Sequence, residues 1–153
     1  MKQAVRAIVS KDNNLLVMKR NKFGSEYYTL IGGAVEMGEP LEVALHREVK
    51  EEATITIANP RLVFMEDAGE PYGEQYVYLC EYVGGEPELH PESEEAKISA
   101  MGQNTYVPMW LPLDQLAKVN FVSGSLKEAL LYGFEHGFPD EPIKIEWRSN
   151  VRH

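Results

Sequence analysis

The sequence predicts an α/β or α+β fold in which a mixed β-sheet lies between helices. Three observations carry this. Short apolar, β-rich stretches recur as far as about residue 112, a strong amphipathic helix signal interrupts them at residues 40–53, and a second helical pattern follows at residues 125–136. The length of 153 residues fits one domain, residues 1–153, able to bury a core without disulfides.

Each element has a local reason. "AVRAIVS" (residues 4–10) and "LLVMKR" (residues 15–20) read as strands joined by a "KDNN" hairpin turn. "EYYTLIGGAVE" reads as a short strand, a glycine break and another extended piece. The helix at residues 40–53 starts with Pro40 at its first helical position. "TITIA" and "RLVFME" read as two strands divided by a turn at Asn59 and Pro60, and "EQYVYLCEYV" as a further strand. The acidic stretch "GGEPELHPESEEAKISAMGQN" reads as a loop. "TYVPMWLPL" is extended, with Pro108 and Pro112 placing it at a sheet edge or breaking it. Ser125 and Glu128 form a capping-box pattern ahead of the second helix, and "PIKIEWRSNVRH" reads as a last strand or a loose end.

The net charge of −9, from 15 basic and 24 acidic residues, argues against a general nucleic-acid or anionic-membrane surface. It leaves room for a small phosphorylated substrate if a local cation, such as a divalent metal, overrides the field. Cys80 is the one cysteine, so an intrachain disulfide is impossible and a reducing compartment is expected. With no run of about 18 apolar residues, the expected location is the cytoplasm.

The chemistry is concentrated in "HREVKEEATI". A helix advances about 100° per residue, so with Glu48 at zero, Glu51 and Glu52 fall about 60° to one side and about 40° to the other. Leu41, Ala44 and Leu45 share that sector, so the three carboxylates continue the apolar stripe. Like charges at these spacings repel, and a negative cluster opposes the dipole at a helix C-terminus. Rules broken together on one turn point to a functional site, and hard divalent cations with oxygen ligands are the natural compensation.

The stretch resembles the Nudix box: a glycine, five residues, a glutamate, seven residues, then Arg-Glu-apolar-x-Glu-Glu-x-Gly-apolar. Gly33, Glu39, Arg47, Glu48, Val49, Glu51, Glu52 and Ile55 all fall in place. Two positions depart. Thr54 stands where the family closes with glycine, and Ile31 where a proline commonly precedes the glycine pair. A β-branched residue is strained in a left-handed helix terminus, so the helix is expected to end differently here.

The resemblance implies a Nudix-like α/β/α sandwich and a metal-dependent hydrolase that cleaves a pyrophosphate bond in a nucleoside diphosphate linked to another moiety. ADP-ribose-like compounds, nucleoside triphosphates and dinucleoside polyphosphates are the implied substrates. A proline and a tyrosine beyond the box separate these classes in the family, but Pro71 and Tyr72 satisfy both signatures. The implied cofactor is Mg2+ or Mn2+, held by Glu48, Glu51 and Glu52 with the Gly33 carbonyl, and joined by an acid from a late loop, Glu94 or Glu95 ahead of Glu92. Glu48 or the late acid is the implied general base. Arg47 is assigned to orienting a carboxylate, Glu39 to the helix start, and Glu36 to an indirect role near the metals. Arg20, with Lys19 and Lys22 nearby, is the candidate phosphate contact. Tyr28 is the candidate substrate aromatic, with Tyr27, Phe64, Tyr72 and Trp110 fitting base stacking or core packing. Homodimers are common in the family. A nucleotide-binding or sensing module with little catalysis is the alternative reading, motivated by Thr54 and Ile31.

Overall fold

The computed structural model describes residues 2–69 and 73–146. In chain order the elements are β1 (Gln3–Ile8), β2 (Ser10–Lys11), β3 (Asn14–Lys22), β4 (Ser25–Ala34), α1 (Leu41–Ala53), β5 (Thr56–Asp67), β6 (Glu74–Gly84), α2 (Glu94–Ser99), β7 (Asn104–Pro112), a 3-10 turn (Leu113–Lys118), α3 (Gly124–His136) and β8 (Ile143–Glu146). The strands follow the order β2-β3-β4-β1-β6-β5-β8, with β7 added on β3. The β1/β6 and β5/β8 pairs are parallel and the others antiparallel, which is the mixed sheet expected.

Period-two alternation gives this sheet two buried faces. Val5, Ala7, Val9, Leu16, Met18 and Ile31 pack with Ala44, Leu45 and Val49 of α1. Their neighbours Ile8, Leu15, Val17 and Leu30 point the other way and pack with Leu126 and Leu130 of α3. A helix therefore covers each face. Leu45 and Val49 are fully buried. Burying side chains of that size is worth about 1.5–3 kcal/mol each, and this anchors an acidic helix turn against the sheet.

The "KDNN" turn forms as expected: Asp12 and Asn13 take left-handed φ of 50° and 61°, which these residue types tolerate better than most. Strand β7 pairs along its length with β3, consistent with its two prolines at an edge. Several boundaries differ from expectation. The glycine pair does not break β4, because buried Ile31 pairs with Ala7 and the strand runs on through Gly32 and Gly33 along β1. Asn59 and Pro60 do not divide two strands. A register shift between Ala58 and Arg61, with Asn59 at φ 48°, absorbs them as a bulge in β5. Pro40 is the N-cap of α1 and Leu41 its first residue.

The acidic loop contains α2, capped by Ser93 through the Ala96 N–H. Helix α3 is capped by Ser123, whose hydroxyl accepts from Leu126 N, and not by Ser125, whose hydroxyl bonds Glu66 instead. Ile143–Glu146 of the predicted last strand form the edge strand β8, and residues 147–153 of that segment lie outside the described residues.

The end of α1 overturns the reading of Thr54. It adopts φ 58°, ψ 33°, the left-handed geometry its family position calls for, and its N–H returns to Lys50 O. An L-residue in that region is strained by roughly 1–2 kcal/mol, so something outside the helix must hold it.

Candidate active site

Strand β4 changes partner midway: Leu30 is its last residue paired with β3, and Ile31 the first paired with β1. The glycines follow immediately, where the backbone runs close under neighbouring groups. A Cβ on Gly32 would strike the Val5 carbonyl, and one on Gly33 would strike the Glu48 carboxylate. Glycine at residue 33 is thus what lets Glu48 lie against the strand.

Arg47 organises the loop between β4 and α1. Its Nε and Nη2 donate to Glu39 Oε2 and Oε1, both at 2.8 Å; Nη2 also reaches Ala34 O at 3.1 Å, and Nη1 donates to Glu48 Oε1 at 2.8 Å. Glu51 Oε2 lies 3.4 Å from Nη1 and Glu36 Oε1 3.9 Å from it. Glu39 in turn accepts the Glu36 N–H at 3.0 Å. The Arg47 fork, aided by that N–H, holds the Glu39 carboxyl down at about 2. Arg47, expected to orient a carboxylate, contacts Glu39 and Glu48 through these bonds. The Glu36 side chain is largely exposed and approaches the cluster at Arg47, while its backbone bonds Glu39.

The three glutamates of α1 have separate environments. Glu52 is 8% exposed, and burial raises its carboxyl to about 8 against the opposing pull of Arg6 and the Gly32 N–H. Glu48 is mostly buried and raised by burial, with Arg47 opposing and Glu51 and Glu95 adding repulsion. Glu51 departs from the wheel and lies on the exposed rim, its side chain 48% exposed. Of the late acids, Glu95 is half-buried and acts on both Glu48 and Glu52, whereas Glu92 and Glu94 face solvent.

Among the described residues, no three His, Cys, Asp or Glu side chains converge tightly enough to cradle an ion by themselves. The donor chemistry nevertheless suits a hard divalent cation. Carboxylates that raise one another's proton affinity surround a buried glutamate, and the missing Cβ of Gly33 makes room for one of them.

Beyond Glu52 a cavity of about 470 Å3 opens at the change of partner in β4, lined among others by Arg6, Arg20, Tyr27, Glu66, Tyr106 and Ser123. The Arg20 guanidinium stacks 3.7 Å over the Tyr106 ring and lies 5.6 Å from that of Tyr27. Its Nη2 donates to Asn104 Oδ1 at 2.5 Å and its Nε to Thr105 O at 3.3 Å. Lys19 is turned to Glu26 at 3.2 Å, and Lys22 is exposed. Tyr28 points away from the cavity into the core beneath α3, so the aromatic at the cavity is its neighbour Tyr27. Phe64 is buried in that same core, and Trp110 packs edge-on to Tyr82. Pro71 and Tyr72 lie outside the described residues. Cys80 is buried, its thiol raised to about 12, and is no nucleophile at neutral pH.

Sequence reasoning missed the cavity floor. Arg6 Nε donates to Gln75 Oε1 at 3.2 Å and its Nη1 to Leu30 O at 3.4 Å. Glu66, 2% exposed, accepts from Ser123 at 2.5 Å and Ser125 at 2.8 Å through the same oxygen. The available signal was Arg6 in the middle of the apolar run "AVRAIV"; Glu66 only ends the run "LVFM" ahead of Asp67 and gave no comparable signal.

A family model of the NUDIX domain matches residues 1–130, which takes in the glycine strand, the acidic helix and the cavity walls. The chain belongs to the Nudix family. Among curated relatives, the NAD-capped RNA hydrolase NudC of Vibrio atlanticus is 31% identical over 110 residues, covering 72% of this chain and 40% of that protein. The corresponding protein of Photobacterium profundum is 30% identical over 111 residues, covering 72% and 41%. The chain therefore spans about 40% of the length of these relatives. Among solved Nudix structures, a MutT hydrolase from Burkholderia pseudomallei matches at 26% identity and TM-score 0.56 over 74% of this chain and 84% of its own. An ADP-ribose pyrophosphatase from Streptococcus suis matches at 20% identity and TM-score 0.63 over 95% and 98%, a likeness of fold.

Proposed function

We propose that this chain is a metal-dependent pyrophosphohydrolase acting on a nucleoside diphosphate linked to a further group, with residues 1–153 as one cytoplasmic catalytic domain. The observation that carries the reading is a buried glutamate, Glu52, beside Glu48 and Glu95, at the mouth of a cavity that holds a stacked arginine. Membership of the family supports it, as do similar proteins described as an NAD-capped RNA hydrolase and an ADP-ribose pyrophosphatase.

Glu48, Glu52 and Glu95, with Glu51 at the rim and the Gly33 carbonyl, would hold Mg2+ or Mn2+. When bound, such an ion supplies charge neutralisation of phosphate oxygens and a more acidic water. The protein's own contribution is positioning. Arg47 fixes Glu48 and, through Glu39, the approach loop. Arg20 sets a positive charge in the cavity wall for the phosphates, and Tyr27 and Tyr106 keep its plane oriented. Glu95, outside the Arg47 network, is the carboxylate assigned to take the proton from the attacking water. No helix among the described residues is long and apolar enough to cross a membrane.

Phosphate or nucleotide release from a panel of ADP-ribose, NAD, nucleoside triphosphates and dinucleoside polyphosphates with Mg2+ tests this. The expected result is turnover of at least one substrate class, abolished by Glu52→Gln. Tight nucleotide binding with no turnover on any of them would favour a binding module instead.

A further inference from the structure

Thr54 is a left-handed, β-branched residue at the end of the helix that carries Glu48, Glu51 and Glu52. Its hydroxyl is not idle. Oγ1 donates to the Glu88 carbonyl at 2.5 Å, across 34 positions of sequence. The same segment returns two backbone bonds to the helix end: Glu88 N to Ala53 O and His90 N to Glu51 O, both at 3.0 Å. Gly85, at φ 102°, passes so close beneath the Thr54 carbonyl that a Cβ there would collide with it. Three hydrogen bonds and a glycine crossing thus pin residues 85–90 to the last turn of α1.

The pinned segment leads directly to Glu95. His90 O accepts from Ser93 N, Ser93 caps α2, and Glu95 lies half-buried in the first turn of α2, near enough for its charge to act on Glu48 and Glu52. The far end of α2 is fixed as well, because Ser99 Oγ accepts from Tyr106 N at 2.9 Å.

We propose that Thr54 is a positioning residue. Its hydroxyl clamps the acidic segment to the end of α1, and the clamp places Glu95 opposite Glu48 and Glu52. Glycine would relax the left-handed cap but has no group to hold Glu88. The departure from the family pattern thus exchanges backbone ease for a side-chain tie. This rests on the hydrolase reading, in which Glu95 serves the site.

The test compares Thr54→Gly, Thr54→Val and Thr54→Ser with the wild type in the full chain. Expected for Thr54→Gly is an unchanged or higher melting temperature together with a kcat about 10–100-fold lower, the range seen when a supporting hydrogen bond behind a metal site is lost. Thr54→Val is expected to lose kcat similarly and Thr54→Ser to retain it. Adding Thr54→Gly to Glu95→Gln is expected to give little further loss, since Thr54 acts only through that carboxylate. Amide exchange at Glu88, at His90 and through α2 should speed up in the glycine and valine variants. Wild-type kcat in Thr54→Gly and Thr54→Val overturns the proposal, as does a fully additive loss with Glu95→Gln. If the wild type turns over no substrate, the hydrolase reading fails. The clamp is still decided by exchange, and unchanged protection of residues 88–99 overturns it.

Discussion

Arg47 holds Glu39 with two parallel bonds, Nε to Oε2 and Nη2 to Oε1, each 2.8 Å long. Only a planar guanidinium can make this contact and still spare Nη1 for Glu48 at 2.8 Å. One side chain therefore ties the approach loop to the acidic face of α1.

The bidentate contact sets the acid limb of stability. Glu39 titrates near 4.5 in the unfolded chain and at about 2 when folded, so the unfolded state binds more protons between these values. Its contribution is present above about pH 4.5 and is lost as pH falls toward 2. Melting temperature followed over that window should fall more shallowly in Glu39→Gln than in wild type; parallel curves would refute the role. Arg47→Lys, which keeps the charge and loses the fork, should lower kcat/KM by about tenfold or more.

Glu52 works in the opposite sense. Folded, it holds its proton up to about pH 8, whereas the unfolded chain releases it near 4.5. The folded state therefore binds more protons across that interval, and stability falls as pH rises through it. Protein stripped with EDTA should melt at progressively lower temperature from pH 5 to pH 8. Glu52→Gln should flatten that slope. Mg2+ should raise the melting temperature most at the alkaline end, where the carboxylate is ionised and able to bind it. A pH-independent Mg2+ effect would argue against Glu52 as a ligand.

The two neighbouring glycines should separate chemistry from folding. At Gly33 the added methyl of alanine meets the movable end of Glu48, while at Gly32 it meets the Val5 backbone. Gly33→Ala should fold with nearly wild-type melting temperature and lose about 100-fold in kcat, because an ångström of misplacement at a reacting group has that scale of effect. Gly32→Ala should lose stability first, since β1 must shift to admit it. Circular dichroism melts beside steady-state kinetics distinguish the pair, and equal stability losses would refute the assignment of Gly33 to the site.

What the sequence made legible was the part governed by local rules. Residue spacing from Gly33 to Ile55 identified the family, and the apolar runs "AVRAIVS" and "LLVMKR" read as strands of a mixed sheet lying between helices. The misreadings came from long-range compensation. Thr54 was expected to avoid the left-handed region because its own preference was weighed without Glu88, which lies 34 residues on. Asn59 and Pro60 were read as a turn, but pairing with β6 keeps them within a strand. Tyr28 and Tyr27 are adjacent, so one step of strand phase decides which faces the cavity, and composition does not supply that phase. Glu66 was overlooked because its partners, Ser123 and Ser125, come from the start of a distant helix.

The cavity wall gives the last prediction. Arg20 is held by its faces as well as its edges, stacked 3.7 Å over Tyr106 and bonded to Asn104 and Thr105. A contact made by the ring face survives loss of the phenol oxygen, so Tyr106→Phe should behave as wild type. Tyr106→Ala removes the ring. A cation–π contact of this kind is worth about 0.5–2 kcal/mol, or about two- to thirty-fold in an equilibrium constant. If Arg20 meets the substrate's phosphates before and during reaction alike, that loss should appear mainly as a higher KM with kcat nearly unchanged. Arg20→Lys should show the same split, because an ammonium keeps the charge without the plane. A fall in kcat at constant KM in either variant would instead place Arg20 at the transition state, and its assignment would move from binding to catalysis.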